Sequence, residues 1–275
     1  MTAIKGKIEE YITGHASELL NLCCDLIRAK SENPPGDVSK ATQVVQAFLE
    51  QKRISYELLE PIPDHINTLA SVGEGNKTLI LCGHLDTVPA GDETQWSFPP
   101  HCGFIRNGEI LGRGSTDMKG GVAAALMALA TVKQVEKRLS GKVTAAIVCD
   151  EEIGGDYGAR GLLENNKLSG DACLITEPSA YRVAGYTIDA GERGVYWLRF
   201  RALGKPAHGS WPVMGKNAIL ALTAFLPKLK EIEEIKVKTP KDAVQLIVNG
   251  KKILAKIAKK NRISTETMCR ILDHY

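Results

Sequence analysis

His84, Asp86, Asp117, Asp150, Glu151, Glu152 and Glu177 are the side chains with which this chain can do chemistry, and most of them close an apolar run. Thr78-Leu-Ile-Leu-Cys-Gly-His84-Leu-Asp86 is the first run, Val143-Thr-Ala-Ala-Ile-Val-Cys-Asp150-Glu151-Glu152 the second and Ala172-Cys-Leu-Ile-Thr-Glu177 the third. In an open parallel sheet the carboxyl ends of the strands form the crevice where ligands bind, so groups far apart in sequence converge there. One imidazole among several carboxylates is a donor set for Zn²⁺ or a related divalent ion. The excess of acids suits two ions that share a bridging carboxylate.

Each residue also has a plainer reading. A strand-end His84 can cap a turn, although Asp86 two residues on points to the same face and can orient a metal-binding imidazole. Asp117, in Gly112-Arg-Gly-Ser-Thr-Asp117-Met-Lys-Gly-Gly121, precedes a helix and can serve as its N-cap. That glycine-rich stretch lacks the endings and spacings of phosphate-binding loops. Asp150, Glu151 and Glu152 can be solvated loop acids, but three adjacent acids after a buried strand repel one another unless a cation or proton relieves them. Adjacent side chains point apart, so one glutamate can bind metal while its neighbour acts as a base. Glu177 alone can be a surface acid; together these groups favour a metal site.

The elements that must position them alternate in type. Leu19 to Ile27 and Ala41 to Leu49 carry apolar residues at helical spacing, separated by the breaker-rich Ser31-Glu-Asn-Pro-Pro-Gly-Asp37, so two helices precede the first strand. Residues 87–100 read as a long loop over the crevice, and the alanine-rich Gly120 to Val132 as a buried helix leading to the Val143 strand. This predicts an α/β fold: a mixed, largely parallel sheet flanked by helices. After Pro178 the pattern changes. Tyr186 to Gly194 and Val195 to Ala202 alternate as half-buried antiparallel strands do, and a helix follows over about 217–230. The expected division is a metal-binding catalytic domain over 1–183 and a smaller α+β domain over 184–275.

Composition narrows the class. A chain of 275 residues with 44% apolar content can bury a sizeable core, and a formal charge of +3 is too small to imply a nucleic-acid or membrane partner. Lysines crowd the late segment Lys251-Lys-Ile-Leu-Ala-Lys-Ile-Ala-Lys-Lys260, whose apolar residues fall at helical spacing, so a solvated lysine face on a helix is expected there. The seven cysteines form no disulfide or zinc-finger spacing, and Cys82, Cys149 and Cys173 lie inside apolar strands as reduced thiols do. With no signal-peptide core and no apolar run of membrane-spanning length, a cytoplasmic location is the default expectation.

Gly83-His-Leu-Asp-Thr-Val-Pro89, Gly112 to Gly121, Asp150-Glu-Glu-Ile-Gly154 and Thr176-Glu-Pro178 resemble, in order, the motifs of the M20 metallopeptidases and deacylases. The resemblance implies that His84 and Glu177 bind one metal, Glu152 a second, and Asp117 both. It further implies that Asp86 orients His84, that Glu151 is the general base for a metal-bound water, and that the Asp117–Met118 peptide is cis. The implied cofactor is one or two Zn²⁺, with Co²⁺ or Mn²⁺ as alternatives. Lys205-Pro-Ala-His208-Gly-Ser-Trp-Pro212 looks like the family's lid motif, whose His reaches the partner subunit's active site and stabilises the oxyanion, so a homodimer is implied.

The implied reaction is hydrolysis of the amide bond of an N-acyl amino acid or small peptide. In the family, the chain returns from the lid with a final His for the second metal. This sequence reaches Tyr275 apparently still within the lid, and His274 precedes the return. The expectation is therefore a fragment or a shortened form, with a non-catalytic relative that keeps dimerisation and partial metal binding as the alternative.

Overall fold

The computed structural model describes residues 2–178, 180–181, 185–186, 198–235, 241–261 and 264–266. It divides into two units, Met1–Pro178 and Ser179–Tyr275.

The first unit opens with three helices, α1 (Thr2–Gly14), α2 (Ala16–Arg28) and α3 (Ser39–Gln51). On α2 the buried Leu22, Cys23, Leu26 and Ile27 make one apolar stripe, and on α3 Ala41, Val45, Phe48 and Leu49 make another. Asp37 starts α3 by accepting the Ser39 N–H at 2.9 Å. Sequence reading found α2 and α3 but not α1, although Ile4, Ile8, Tyr11 and Ile12 repeat there at helical spacing; the stripe is short, and the positions around it are polar or glycine and mostly exposed. It also passed over the hairpin of β1 (Tyr56–Ile62) and β2 (His65–Val72), which turns at Pro63–Asp64 and enters the sheet before the first motif strand.

β3 (Thr78–His84) follows, then the short hairpin β4 (Phe104–Arg106) and β5 (Glu109–Leu111) within the stretch that leads to Asp117. α4 (Lys119–Lys133), β6 (Lys142–Val148), α5 (Ala159–Glu164) and β7 (Ala172–Ile175) complete the unit. The sheet order is β1-β2-β6-β3-β7: β3 runs parallel to β6 and to β7, while β2 is antiparallel to both β1 and β6. The expected mixed sheet flanked by helices is what forms. β6 is buried on both faces for most of its length, which is why Ala145 to Val148 read as a continuous apolar run rather than an alternating one.

α2, α3 and α4 cover one face of the sheet around Leu26, Val45, Leu126, Leu129 and Ile147. On the other face a smaller cluster gathers Ile80, Ala146, Val148, Leu162 and Leu168, with Leu162 contributed by α5. β6 and β7 follow one another in the chain but lie on opposite sides of β3, so the connections above β3 diverge and leave a crevice at its carboxyl end.

α4 sits very close to this crevice because it begins with small residues. A Cβ on Gly121 would collide with the Thr176 carbonyl oxygen, the backbone immediately before Glu177. Gly121→Ala should therefore cost about 1–3 kcal/mol by overpacking against backbone that cannot swing away. A thermal unfolding midpoint equal to that of the parent chain would refute this.

In the second unit, β8 (Ala180–Tyr181) pairs with β9 (Gly185–Tyr186), and an isolated bridge joins Lys205 to Lys216. α6 (Ala218–Phe225) is capped by Asn217, whose side chain accepts the Leu220 N–H at 3.1 Å. The helix expected over about 217–230 changes type at Leu226, where Pro227 removes a donor and the chain tightens to a 3-10 helix over Leu226–Glu234. The expected strand over Val195 to Ala202 is not seen in its described part, since residues 198–202 are irregular. Residues 187–197 lie outside the described residues. The lysine-rich segment forms α7 (Lys241–Asn261), as its spacing indicated. Among the described residues no helix is long and apolar enough to cross a membrane.

Candidate metal centre

Four segments converge on the His84 ring. His84 ends β3 and is almost completely buried, yet its Nε2 lies 3.1 Å from Asp117 Oδ1 and 3.1 Å from Glu177 Oε1. Glu151 Oε2 is 3.8 Å from the same nitrogen. Two sets of three ligand atoms lie within 4.8 Å of one another: His84 with Glu151 and Glu177, and His84 with Asp117 and Glu152. Adjacent ligands of a tetrahedral zinc ion, with bonds of about 2.0–2.1 Å, stand roughly 3.3 Å apart. The 3.1 Å contacts therefore match neighbours in one coordination shell, and the N/O donor set fits a divalent ion.

Each donor is delivered by a local feature. Asp117 lies one residue before the α4 N-cap Met118 and is joined to it by a cis peptide. Glu151 and Glu152 sit on the 3-10 turn that follows β6, and Glu177 follows β7, where the Thr176 N–H still donates to the Cys82 carbonyl at 2.9 Å. The contacts of Asp86 differ from those that strand alternation predicts. β3 ends at His84, so Asp86 lies beyond the strand, and His84 Nδ1 meets both its backbone oxygen, at 2.9 Å, and its Oδ1, at 3.3 Å. The buried Asp86 carboxylate also accepts the backbone N–H groups of Glu151 and Glu152, each at 3.1 Å, and Asn33 Nδ2 at 2.9 Å. Glu152 Oε1 in turn accepts the Val88 N–H at 3.1 Å.

The electrostatics are those of a cation site holding a proton. Burial disfavours the charged imidazole, but hydrogen bonds to Asp117, Asp86 and Glu177 override it and push the His84 pKa up to about 12. Burial, reinforced by the neighbouring carboxylates, raises Glu151 and Glu152, while the hydrogen bond to His84 holds Asp117 below its usual value. A divalent ion needs a neutral Nε2, so binding must eject the His84 proton. At any pH below its raised pKa that proton competes with the ion, and affinity should climb with pH by about tenfold per unit for each proton displaced. Zn²⁺ titration calorimetry at pH 7 in buffers of different ionisation enthalpy should show net proton release; a heat independent of buffer would contradict this.

Not every acid flagged by sequence reaches the centre. Asp150 is fully buried and turned away, accepting the Tyr157 and Gly158 N–H groups at 2.8 and 2.7 Å, so it fixes the turn that carries Glu151 and Glu152. His208 lies in the second unit, exposed, with Nδ1 2.7 Å from Ser210 Oγ. His274 lies outside the described residues. Sequence reading treated Ser31 to Asp37 only as a helix breaker. Asn33 was legible only as a polar side chain before two prolines, and Lys119, fully buried with Nζ donating to the Ala29 carbonyl at 2.7 Å, gave no signal beyond its place in the glycine-rich motif.

The wider comparisons agree with this geometry. Residues 80–267 match Peptidase family M20/M25/M40. Succinyl-diaminopimelate desuccinylase of Rhodospirillum centenum is 33% identical over 234 residues, covering 82% of this chain and 58% of that protein. This chain spans about half the length of the curated relatives it matches. The M20 family metallo-carboxypeptidase Sso-CP2 from Sulfolobus solfataricus superimposes with a TM-score of 0.51 at 24% identity, over 58% of this chain and 37% of that one. Human carnosine dipeptidase 1 does so with a TM-score of 0.53 at 23% identity, over 62% and 40%. These structural likenesses concern the fold, whereas the sequence match runs through the motifs that carry His84, Asp117, Glu151, Glu152 and Glu177. The chain belongs to Peptidase family M20/M25/M40.

Proposed function

We propose that this protein is a metal-dependent hydrolase that cleaves the amide bond of an N-acyl amino acid or small peptide. The observation that carries the reading is the convergence of one buried imidazole and four carboxylates from separate segments at the carboxyl end of β3. In this reading His84 and Glu177 would hold one ion and Glu152 a second, with Asp117 a ligand of both. Zn²⁺ suits the donor set best, and Co²⁺ or Mn²⁺ would be accepted by it. An ion bound there polarises the scissile carbonyl and lowers the pKa of water.

The chain's own residues do the rest. Asp86 holds the His84 ring. Glu151 takes the proton of the attacking water and returns it to the leaving amine, a task suited by its raised pKa. Residues 1–183 act as the catalytic domain and 184–275 as a lid that mediates dimerisation, with His208 stabilising the oxyanion in the partner's site. The similarity to a desuccinylase supports an acylated amino acid as the substrate class.

The test is elemental analysis of the intact purified chain together with hydrolysis of a small panel of N-acyl amino acids and dipeptides. Bound divalent metal and turnover that a chelator abolishes are expected. A chain that binds metal without turning over any member would support the non-catalytic alternative instead.

A further inference from the structure

Asp86 is the hub behind His84, and one of its partners comes from outside the sheet edge. Two of the N–H groups on its carboxylate belong to the backbone of Glu151 and Glu152 and come with the turn after β6. The third is the side-chain amide of Asn33, at 2.9 Å from Oδ2, and it is present only because the residue is asparagine.

Asn33 sits in a strap, residues 29–37, laid along the segment that follows β3. The strap is already fastened without its side chain. Ser31 Oγ donates to the Leu85 carbonyl at 2.6 Å, the Asn33 N–H to the Thr87 carbonyl at 2.8 Å, and the Thr87 N–H to the Ser31 carbonyl at 3.0 Å. Lys119 Nζ secures the strap's start at Ala29. Asn33 is buried, and its Oδ1 has no hydrogen-bond partner among the described residues. Turning the amide over would set that oxygen against the Asp86 carboxylate, so Asp86 dictates the orientation, and the unpaired acceptor is tolerated for the sake of the Nδ2–H donor.

We propose that Asn33 is a positioning residue of the metal centre: its amide holds Asp86 Oδ2 so that Oδ1 faces His84 Nδ1 at 3.3 Å and the ring presents Nε2 to the ion. A metal-ligating histidine is commonly oriented by a carboxylate at its other nitrogen, and Asn33 extends that relay by one member. The inference rests on the metal-centre reading above, but its test does not depend on turnover.

The experiment uses the full chain with Co²⁺ as probe, reading the dissociation constant and the visible absorption spectrum, with the thermal midpoint as a check on folding. Asn33→Ala is expected to weaken Co²⁺ binding by roughly 10–100-fold and to change the spectrum. Ser31→Ala, which loosens the strap without touching Asp86, is expected to lower the midpoint while leaving affinity and spectrum as in the parent. Should Asn33→Ala fail to fold, Asn33→Leu keeps the approximate volume, removes the donor without adding a charge and carries the same expectation. Parent-like affinity and spectrum in a folded Asn33 variant would overturn the proposal, as would equal weakening by Ser31→Ala. Failure of the parent chain to bind Co²⁺ would instead overturn the metal-centre reading itself.

Discussion

Glu151→Gln lowers turnover by roughly 10²–10⁴-fold and leaves the metal content unchanged, if Glu151 is the general base. The substitution keeps the shape of the side chain and removes its capacity to take a proton. In distance Glu151 stands somewhat apart from the proposed ligands: its carboxylate is 3.8 Å from His84 Nε2, against 3.1 Å for Asp117 and Glu177. Burial and the surrounding carboxylates raise the Glu151 pKa, bringing it closer to the working range of a base near neutrality. The alternative is explicit in the geometry, since Glu151 also falls within the His84–Glu177 set of ligand atoms. Elemental analysis decides: loss of an ion along with turnover would make Glu151 a ligand, and parent-like turnover would place the base elsewhere.

Asp117→Ala is expected to have the largest effect on metal. A bridging carboxylate serves both ions, so its loss should weaken both by more than the roughly 10–100-fold that removal of an outer-shell partner costs. The metal-free protein offers a second readout. The Asp117 hydrogen bond is the largest of the influences that raise the His84 pKa, so in the variant the ring should titrate lower. Imidazole NMR across the alkaline range would record that fall. If one ion stays at parent affinity, Asp117 is an ordinary ligand of the other and not a bridge.

Much of this centre was legible in the sequence because its donors end β-strands or start a helix. Strand β6 shows itself as an apolar stretch from Val143 to Cys149 interrupted only by Thr144, and the acids that follow can only lie at its carboxyl end. The same logic fails for the antiparallel β1–β2 hairpin: β1 is half-exposed and contains Pro61, and β2 mixes His65, Asn67 and Thr68 with its apolar residues, so neither forms a clean period. Asp150 shows the limit on the site side. Three adjacent acids look alike in sequence, and only the backbone turn at Tyr157–Gly158 tells which one is consumed as a buried acceptor. Asn33 was hidden for a different reason. Its partner Asp86 is 53 residues away, and a lone amide in a proline-rich stretch has no pattern that points across such a distance.

The dispersal of the donors over residues 84–177 has a consequence for the life of the protein in a cell. If His84, Asp117, Glu152 and Glu177 hold an ion as proposed, it would be a removable cross-link between segments that the chain joins only through long crossovers. Like any ligand that binds the folded state alone, it shifts the folding balance by mass action. Where the ion is scarce, the openings that expose a chain to proteases become more frequent, and the steady-state amount of protein falls. Metal binding at this centre would thereby couple the abundance of the protein to metal supply.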